Sequence, residues 1–155
     1  MNRPRELALL LVALVTLGLT ACGSSGSSGK LSKADLIAKG DEICRQARDK
    51  GTKLPKVQSY AGFKQLGPAA AKIIDDTLSK QKGLTPPASV KPDYDAYLDN
   101  VAKQSELAHK LGDAAKIGND QSVQKLLTEA SRNVAKGRSL ARKVGFKLCG
   151  NALGR

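Results

Sequence analysis

The chain has 155 residues, which allows one domain of moderate size once an N-terminal leader is set aside. Its 26 lysines and arginines outnumber its 14 aspartates and glutamates, and the formal net charge is +12 at pH 7. Basic chains often bind nucleic acid, but only 3% of these residues are aromatic and the rings do not alternate with basic clusters, so nucleic acid is excluded as a partner.

The first 21 residues have the pattern of an export signal. Arg3 and Arg5 form a basic start, and an apolar run covers 7–19. The run is shorter than the roughly 20 residues that a transmembrane helix needs, and small residues follow it. We therefore expect residues 1–21 to be a signal peptide that is removed.

The four residues Leu19-Thr20-Ala21-Cys22 resemble the lipobox of bacterial lipoproteins. In that family the cysteine receives a diacylglyceryl group, the leader is cut before it, and the new amine is often acylated as well. The resemblance implies that Cys22 begins the mature protein and anchors it, through palmitate-like chains, to the outer face of the cell membrane. Two or more acyl chains hold a protein there stably. An uncleaved anchor and a plain secreted protein are the alternatives.

Residues 23–29 consist only of glycine and serine, which bury no apolar surface. We expect residues 22–31 to be the lipidated cysteine and a flexible tether, 32–150 the folded domain, and 151–155 a short tail. The same GSSGSSG run is also common as an engineered linker, which is the alternative interpretation.

Helical periodicity begins at the tether's end. Ser32 is the expected N-cap of a first helix that ends near residue 50, since an acidic residue three positions later completes a capping box. A second helical stretch covers 59–82, and Gly67-Pro68 predicts either a kink there or the start of a new helix. A proline-rich link at 84–92 follows.

The third predicted helix covers 93–117, and Asn119 with its neighbours caps a fourth. Small and apolar residues of the fourth recur at alternating steps of four and three, which is a heptad pattern. They are Val123, Leu127, Ala130, Val134, Gly137, Ala141, Val144 and Leu148. The sequence therefore predicts an all-α, antiparallel bundle of four helices.

Cys44 and Cys149 remain once Cys22 is assigned to the lipid. Thiols of an exported protein usually pair, and the first and last helices are neighbours in a simple four-helix ring. We expect a disulfide between them if the last turn unwinds after Val144, which Gly145 permits, or if the first helix starts later. Two free structural cysteines, or a catalytic thiol with the lone histidine His109 as base, are the alternatives.

The segments KGDEIC, LTPPASVKPDYDAYLD, GND and ARKVGFKLCG together resemble a group of small exported or membrane-tethered helical proteins of high-GC Gram-positive bacteria. That group also pairs an early cysteine with a late one. The late cysteine of that group lies in an LG-x-x-CG ending, in which the first glycine follows a leucine, whereas Gly145 follows Val144 in this sequence. No activity is assigned to the group, so the resemblance implies only the fold and the disulfide.

Motifs for catalysis and for metal or cofactor binding are weak. Glu106-x-x-His109 matches half of a di-iron motif, but the second half is missing and Glu106 points away from the apolar face. The carboxylate pairs Asp75-Asp76 and Asp93/Asp95 are typical of solvated or capping positions. We therefore expect no cofactor, no metal site and no enzymatic activity.

Four cations near the end of the fourth helix are the candidate functional surface: Arg138, Arg142, Lys143 and Lys147. They are predicted to contact anionic lipid or wall polymer beside the anchor; the alternative is a solvated face that complements the helix dipole. Our leading hypothesis is a lipid-anchored, non-catalytic binding or interaction module with an unknown protein partner. A carrier that holds an apolar ligand in a bundle cavity is the alternative, and an enzyme is the third possibility.

Overall fold

A computed structural model describes residues 29–149, so the predicted signal peptide, Cys22 and the C-terminal tail lie outside the described part. Two 3₁₀ turns, Tyr60–Gly62 and Ala88–Val90, stand before the second and third helices, and no β-strand occurs within the described range. The four helices are α1 (Lys33–Gly51), α2 (Phe63–Lys82), α3 (Lys91–Lys116) and α4 (Asp120–Val144). The predicted all-α fold is confirmed.

Contacts between the helices show that sequential neighbours run antiparallel. The end of α2 meets the start of α3, where the Tyr94 hydroxyl lies 2.5 Å from the Gln81 carbonyl oxygen. The start of α2 meets the end of α3, where Gly67 faces Gly112. α3 packs along both α2 and α4, and α1 packs on α2. α3 is therefore the central element of an antiparallel four-helix bundle, as predicted.

The helix ends follow the capping signals of the sequence. The Asp35 backbone N–H donates to Ser32 Oγ at 3.0 Å, and the Ser122 N–H donates to Asn119 Oδ1 at 3.0 Å. Both predicted N-caps are confirmed. α3 begins at Lys91, two residues earlier than predicted, because a proline is tolerated in the first turn, where its missing N–H has no helical partner.

α2 continues through Pro68, so the predicted alternative of a new helix starting there is wrong. A Cβ on Gly67 would lie 2.6 Å from the backbone of Gly112, and a Cβ on Gly112 would lie 2.8 Å from the Pro68 ring. The two glycines let α2 and α3 approach closely, and the proline ring packs into that contact. This packing offsets the hydrogen bond that proline removes.

α4 ends at Val144 because Gly145 adopts the left-handed conformation, with φ of 107°. Its N–H donates to the Ala141 carbonyl oxygen at 3.1 Å, and the Phe146 N–H donates to the same oxygen at 2.9 Å. Leu148 therefore does not lie on α4, and the last position of the predicted heptad pattern is wrong. The chain instead turns back over α1.

This turn brings Cys149 to Cys44, with Cα atoms 5.1 Å apart, and the two form a disulfide. The predicted pairing is confirmed, and the alternative of two free thiols is wrong. Of the two routes considered, unwinding after Val144 is the one used, since α1 starts where the Ser32 cap predicts.

Two apolar clusters form the core. One joins Leu36 of α1 and Tyr94 of α3 to Val144 and Phe146 at the end of α4. The other lies where α3 turns into α4, around Leu111 and Val123. Within the described part of the chain, no helix combines the length and apolar character required to cross a membrane.

Candidate functional site

A cavity of about 360 Å³ lies between the helices, and it borders the core cluster around Tyr94, which shares Tyr97 with the cavity lining. All four helices and the segment after α4 contribute to its walls. The surface of the lining is mainly apolar, and its aliphatic side chains are Ala47, Ile73, Ile74, Val101, Val134 and Leu148. Its volume falls within the range of about 300–1,000 Å³ that is typical of small-molecule sites.

The disulfide forms one side of this cavity. Gln81 Nε2 lies 3.6 Å from Cys44 Sγ and 3.7 Å from Cys149 Sγ, and the Tyr97 hydroxyl lies 3.6 Å from Cys44 Sγ. Burial raises the pKa of the Tyr97 phenol far above its usual range, so the group stays neutral. Disulfide sulfurs carry no thiolate, so the predicted alternative of a catalytic thiol is wrong for this pair.

Asp41 holds the segment that carries Cys149. Its carboxylate accepts the backbone N–H of Lys147 at 3.0 Å, of Leu148 at 2.7 Å and of Cys149 at 3.4 Å. Sequence reasoning missed this residue. The available signal was its position three residues before Cys44, which places both side chains on the same face of α1.

An amide pair joins α3 to α4 beside the cavity. Asn100 Nδ2 donates to Asn133 Oδ1 at 2.8 Å, and Asn133 Nδ2 donates to Gln104 Oε1 at 2.9 Å. A Cβ on Gly137 would lie 2.3 Å from Asn100 Oδ1, so the glycine makes room for the pair. The two donated hydrogen bonds link α3 to α4 at this level of the bundle.

Two arginines line the cavity, Arg48 from α1 and Arg138 from α4. The Arg138 Nε atom is buried and has no hydrogen-bond partner among residues 29–149. None of the described residues that line the cavity is an aspartate or glutamate. The site therefore combines aliphatic walls with two positive charges.

The structure does not bring the four predicted surface cations into one equivalent group. Arg138 lies half-buried in the cavity wall, whereas Arg142 and Lys143 are exposed on α4 and do not line the cavity. Lys147 lies beyond the helix, in the segment held by Asp41. Arg138 is thus separated from the other three by its environment.

Ser105, Asp75 and His109 meet on the α2–α3 surface. Ser105 Oγ donates to one carboxylate oxygen of Asp75, and His109 Nε2 lies 3.1 Å from the other. The Ser105 hydrogen bond, with a smaller contribution from His109, lowers the pKa of Asp75. A nucleophilic serine needs the histidine as its direct neighbour. Here the carboxylate stands between the two, and the arrangement resembles a structural bridge.

Glu106 and Asp76, which were also singled out in the sequence, form surface ion pairs. Glu106 pairs with Lys103 at 3.2 Å and with Lys110, and it does not meet His109. Asp76 pairs with Lys50 at 3.4 Å. Among the residues that the structure describes, no group of histidine, cysteine and carboxylate side chains is suited to hold a metal.

The fold and the site together define a disulfide-linked four-helix bundle with an apolar, positively charged cavity. No protein-family model, curated protein or solved structure matches the chain. Its function is therefore argued from its own residues.

Proposed function

We propose that this domain is a non-catalytic binding module whose cavity carries the apolar part of a small ligand at the outer face of a bacterial membrane. The observation that supports this function is the cavity of about 360 Å³ between the four helices, with its mainly apolar lining surface. This cavity favours the carrier hypothesis, which is one particular form of binding module.

The frame around the cavity is suited to keep it open. The disulfide and the Asp41 carboxylate attach the C-terminal segment to α1, and the Asn100–Asn133 pair links α3 to α4. These cross-links and polar pairs fix the positions of the elements that line the cavity. A preformed cavity binds ligand without the entropic cost of ordering its walls.

The sequence supports the location. The lipobox-like segment that ends at Cys22 and the glycine–serine run after it would hold the domain near the membrane. A flexible tether of this composition spans about 15 Å on average. A carrier at that distance can exchange apolar molecules with the bilayer, where such molecules are concentrated.

Binding of the neutral fluorescent probe N-phenyl-1-naphthylamine tests the carrier function. The full chain with Cys22→Ser is used, so that no lipid contributes to the signal. We expect saturable fluorescence that Ala47→Phe weakens, because the ring occupies part of the cavity, and that the exposed control Ala135→Phe preserves. Equal binding by both variants, or no saturable binding at all, contradicts the proposal.

A second candidate function is contact with anionic lipid or wall polymer through Arg142, Lys143 and Lys147. The exposure of Arg142 and Lys143 at the end of α4 favours it. Each cation near an anionic membrane contributes about 1 kcal/mol. Sedimentation with anionic vesicles but not with neutral ones is the expected result, and equal sedimentation with both contradicts it.

The proposed anchor has its own test. The mass of the exported protein is expected to show a lipid-modified Cys22 at the mature N-terminus. An exported chain with an unmodified Cys22 refutes the lipoprotein assignment and leaves the cavity proposal untouched.

A further inference from the structure

We propose that the natural ligand is an acidic amphiphile, with a single apolar chain in the cavity and a carboxylate or phosphate head on the Arg138 guanidinium. This inference rests on the proposed carrier function and specifies the ligand's chemistry.

The cavity carries positive charge. Arg48 and Arg138 approach it from different helices, and the described lining contains no acidic residue to neutralise them. Neither guanidinium has an ion pair within residues 29–149, whereas Arg45, on the same helix as Arg48, pairs with Glu42 and Asp49. An uncompensated cation beside aliphatic walls favours an anionic partner.

Two other polar side chains at the cavity, Thr77 and Asn100, already form hydrogen bonds within the protein. The Thr77 hydroxyl donates to the Ile73 carbonyl oxygen at 2.7 Å, and the Asn100 amide bonds to Asn133. Arg138 Nε is covered by protein, so a ligand in the cavity would contact the terminal N–H groups of this guanidinium, which has no ion pair within residues 29–149.

The geometry of a guanidinium determines which head groups it binds best. A guanidinium presents parallel N–H donors that match the two oxygens of a carboxylate or phosphate, and such charged hydrogen bonds are stronger than neutral ones. The aliphatic residues Ile73, Val101 and Val134 surround the remaining volume. One end of the ligand is thus specified as anionic and the rest as apolar.

Competition against N-phenyl-1-naphthylamine tests this assignment with four probes that share a ten-carbon chain. The probes are decanoate, decyl phosphate, decanol and decyltrimethylammonium, used at pH 8 with the full-length Cys22→Ser protein. We expect at least one anion to bind about tenfold more tightly than decanol, which corresponds to about 1.4 kcal/mol. The stronger of the two anions then identifies the carboxylate or the phosphate as the natural head group.

Variants locate the head group. Arg138→Gln is expected to reduce the preference for the anion over decanol to about onefold without weakening decanol, because only the charged hydrogen bonds are lost. Arg142→Gln, on the same helix but outside the cavity, is the matched control and is expected to retain the preference. Far-UV circular dichroism verifies that each variant is folded.

Three results overturn the inference. Decanol or the cation binding as tightly as both anions shows that the cavity does not select negative charge. Loss of the preference in Arg48→Gln but not in Arg138→Gln places the head group elsewhere. In both cases the neutral probe still binds, so the carrier function survives, whereas failure of the neutral probe refutes the carrier function itself.

Discussion

Removal of the disulfide is expected to cost this domain a large part of its stability. The Cys44–Cys149 bridge closes a loop with a sequence separation of 105 residues. In the chain-entropy model a loop of that size restricts the unfolded chain by about 4.7 kcal/mol at 25 °C. Total stabilities of domains are about 5–15 kcal/mol, so the bridge is a major contribution.

Contacts around the bridge remain when it is removed. The Asp41 carboxylate still accepts N–H groups of the C-terminal segment, and the Phe146 ring still packs on Gly40. These contacts are made in the folded state, whereas the entropic effect acts on the unfolded chain. The loss is therefore expected to approach the full chain-entropy value, with a fall in Tm of about 15 °C.

Guanidinium unfolding of Cys44→Ser/Cys149→Ser, followed by circular dichroism at 222 nm, measures the loss of unfolding free energy. All proteins carry Cys22→Ser, which prevents exchange with the third thiol. Dithiothreitol is expected to destabilise the bridged parent and to leave the double variant unchanged. A difference below about 1 kcal/mol between parent and double variant refutes the loop-entropy reasoning.

Three further predictions concern packing and titration. Gly67→Ala is expected to destabilise the fold by about 1–2 kcal/mol, because the new Cβ would lie 2.6 Å from the α3 backbone. This loss is expected even though alanine has a better helix propensity than glycine. An unchanged midpoint in chemical denaturation contradicts the prediction. Ser105→Ala is expected to raise the pKa of Asp75, since the Ser105 hydrogen bond is the main cause of its lowered value. A carboxyl group whose pKa is lowered in the folded state stabilises the fold at pH values above its unfolded pKa, and this stabilisation is lost as pH falls through the folded pKa. The variant is therefore expected to lose less stability in acid than the parent. An unshifted NMR titration of Asp75 in the variant argues against the hydrogen bond. Burial raises the pKa of Tyr94 and Tyr97. The neutral phenols therefore contribute fully to the free energy of unfolding below the unfolded pKa of about 10, and this contribution is lost as pH rises toward the folded pKa values. Absorbance at 295 nm and pH 11 is therefore expected to increase on unfolding, and a constant absorbance refutes their burial.

Local patterns in the chain were sufficient for the secondary structure. The caps at Ser32 and Asn119 depend on hydrogen bonds between residues three positions apart, and helical periodicity is a property of short windows. The end of α4 shows where such reasoning fails. The heptad spacing extends to Leu148, but the left-handed Gly145 stops the helix before it. Periodicity reports which residues share an apolar face and does not report whether the backbone remains helical.

Arg138 illustrates the limit for the candidate site. Its spacing places it among the cations of α4, and the sequence predicts an exposed surface for all of them. Whether one cation of such a group faces solvent or a cavity depends on the helices that pack beside it. Asp41 was missed for the same reason, since its partners follow it by more than a hundred residues.

The sequence by itself determined the helical class, the helix order, the caps and the pairing of two cysteines, because these follow from local hydrogen bonding, periodicity and the count of thiols. Only the tertiary structure decided that the four helices leave a cavity beside the core and that Arg138 lies in its wall with no ion pair among residues 29–149. A cavity remains where the backbones enclose more space than the side chains fill. The enclosed space depends on distances between helices that contacts distant in the chain set, such as Gly137 of α4 against Asn100 of α3.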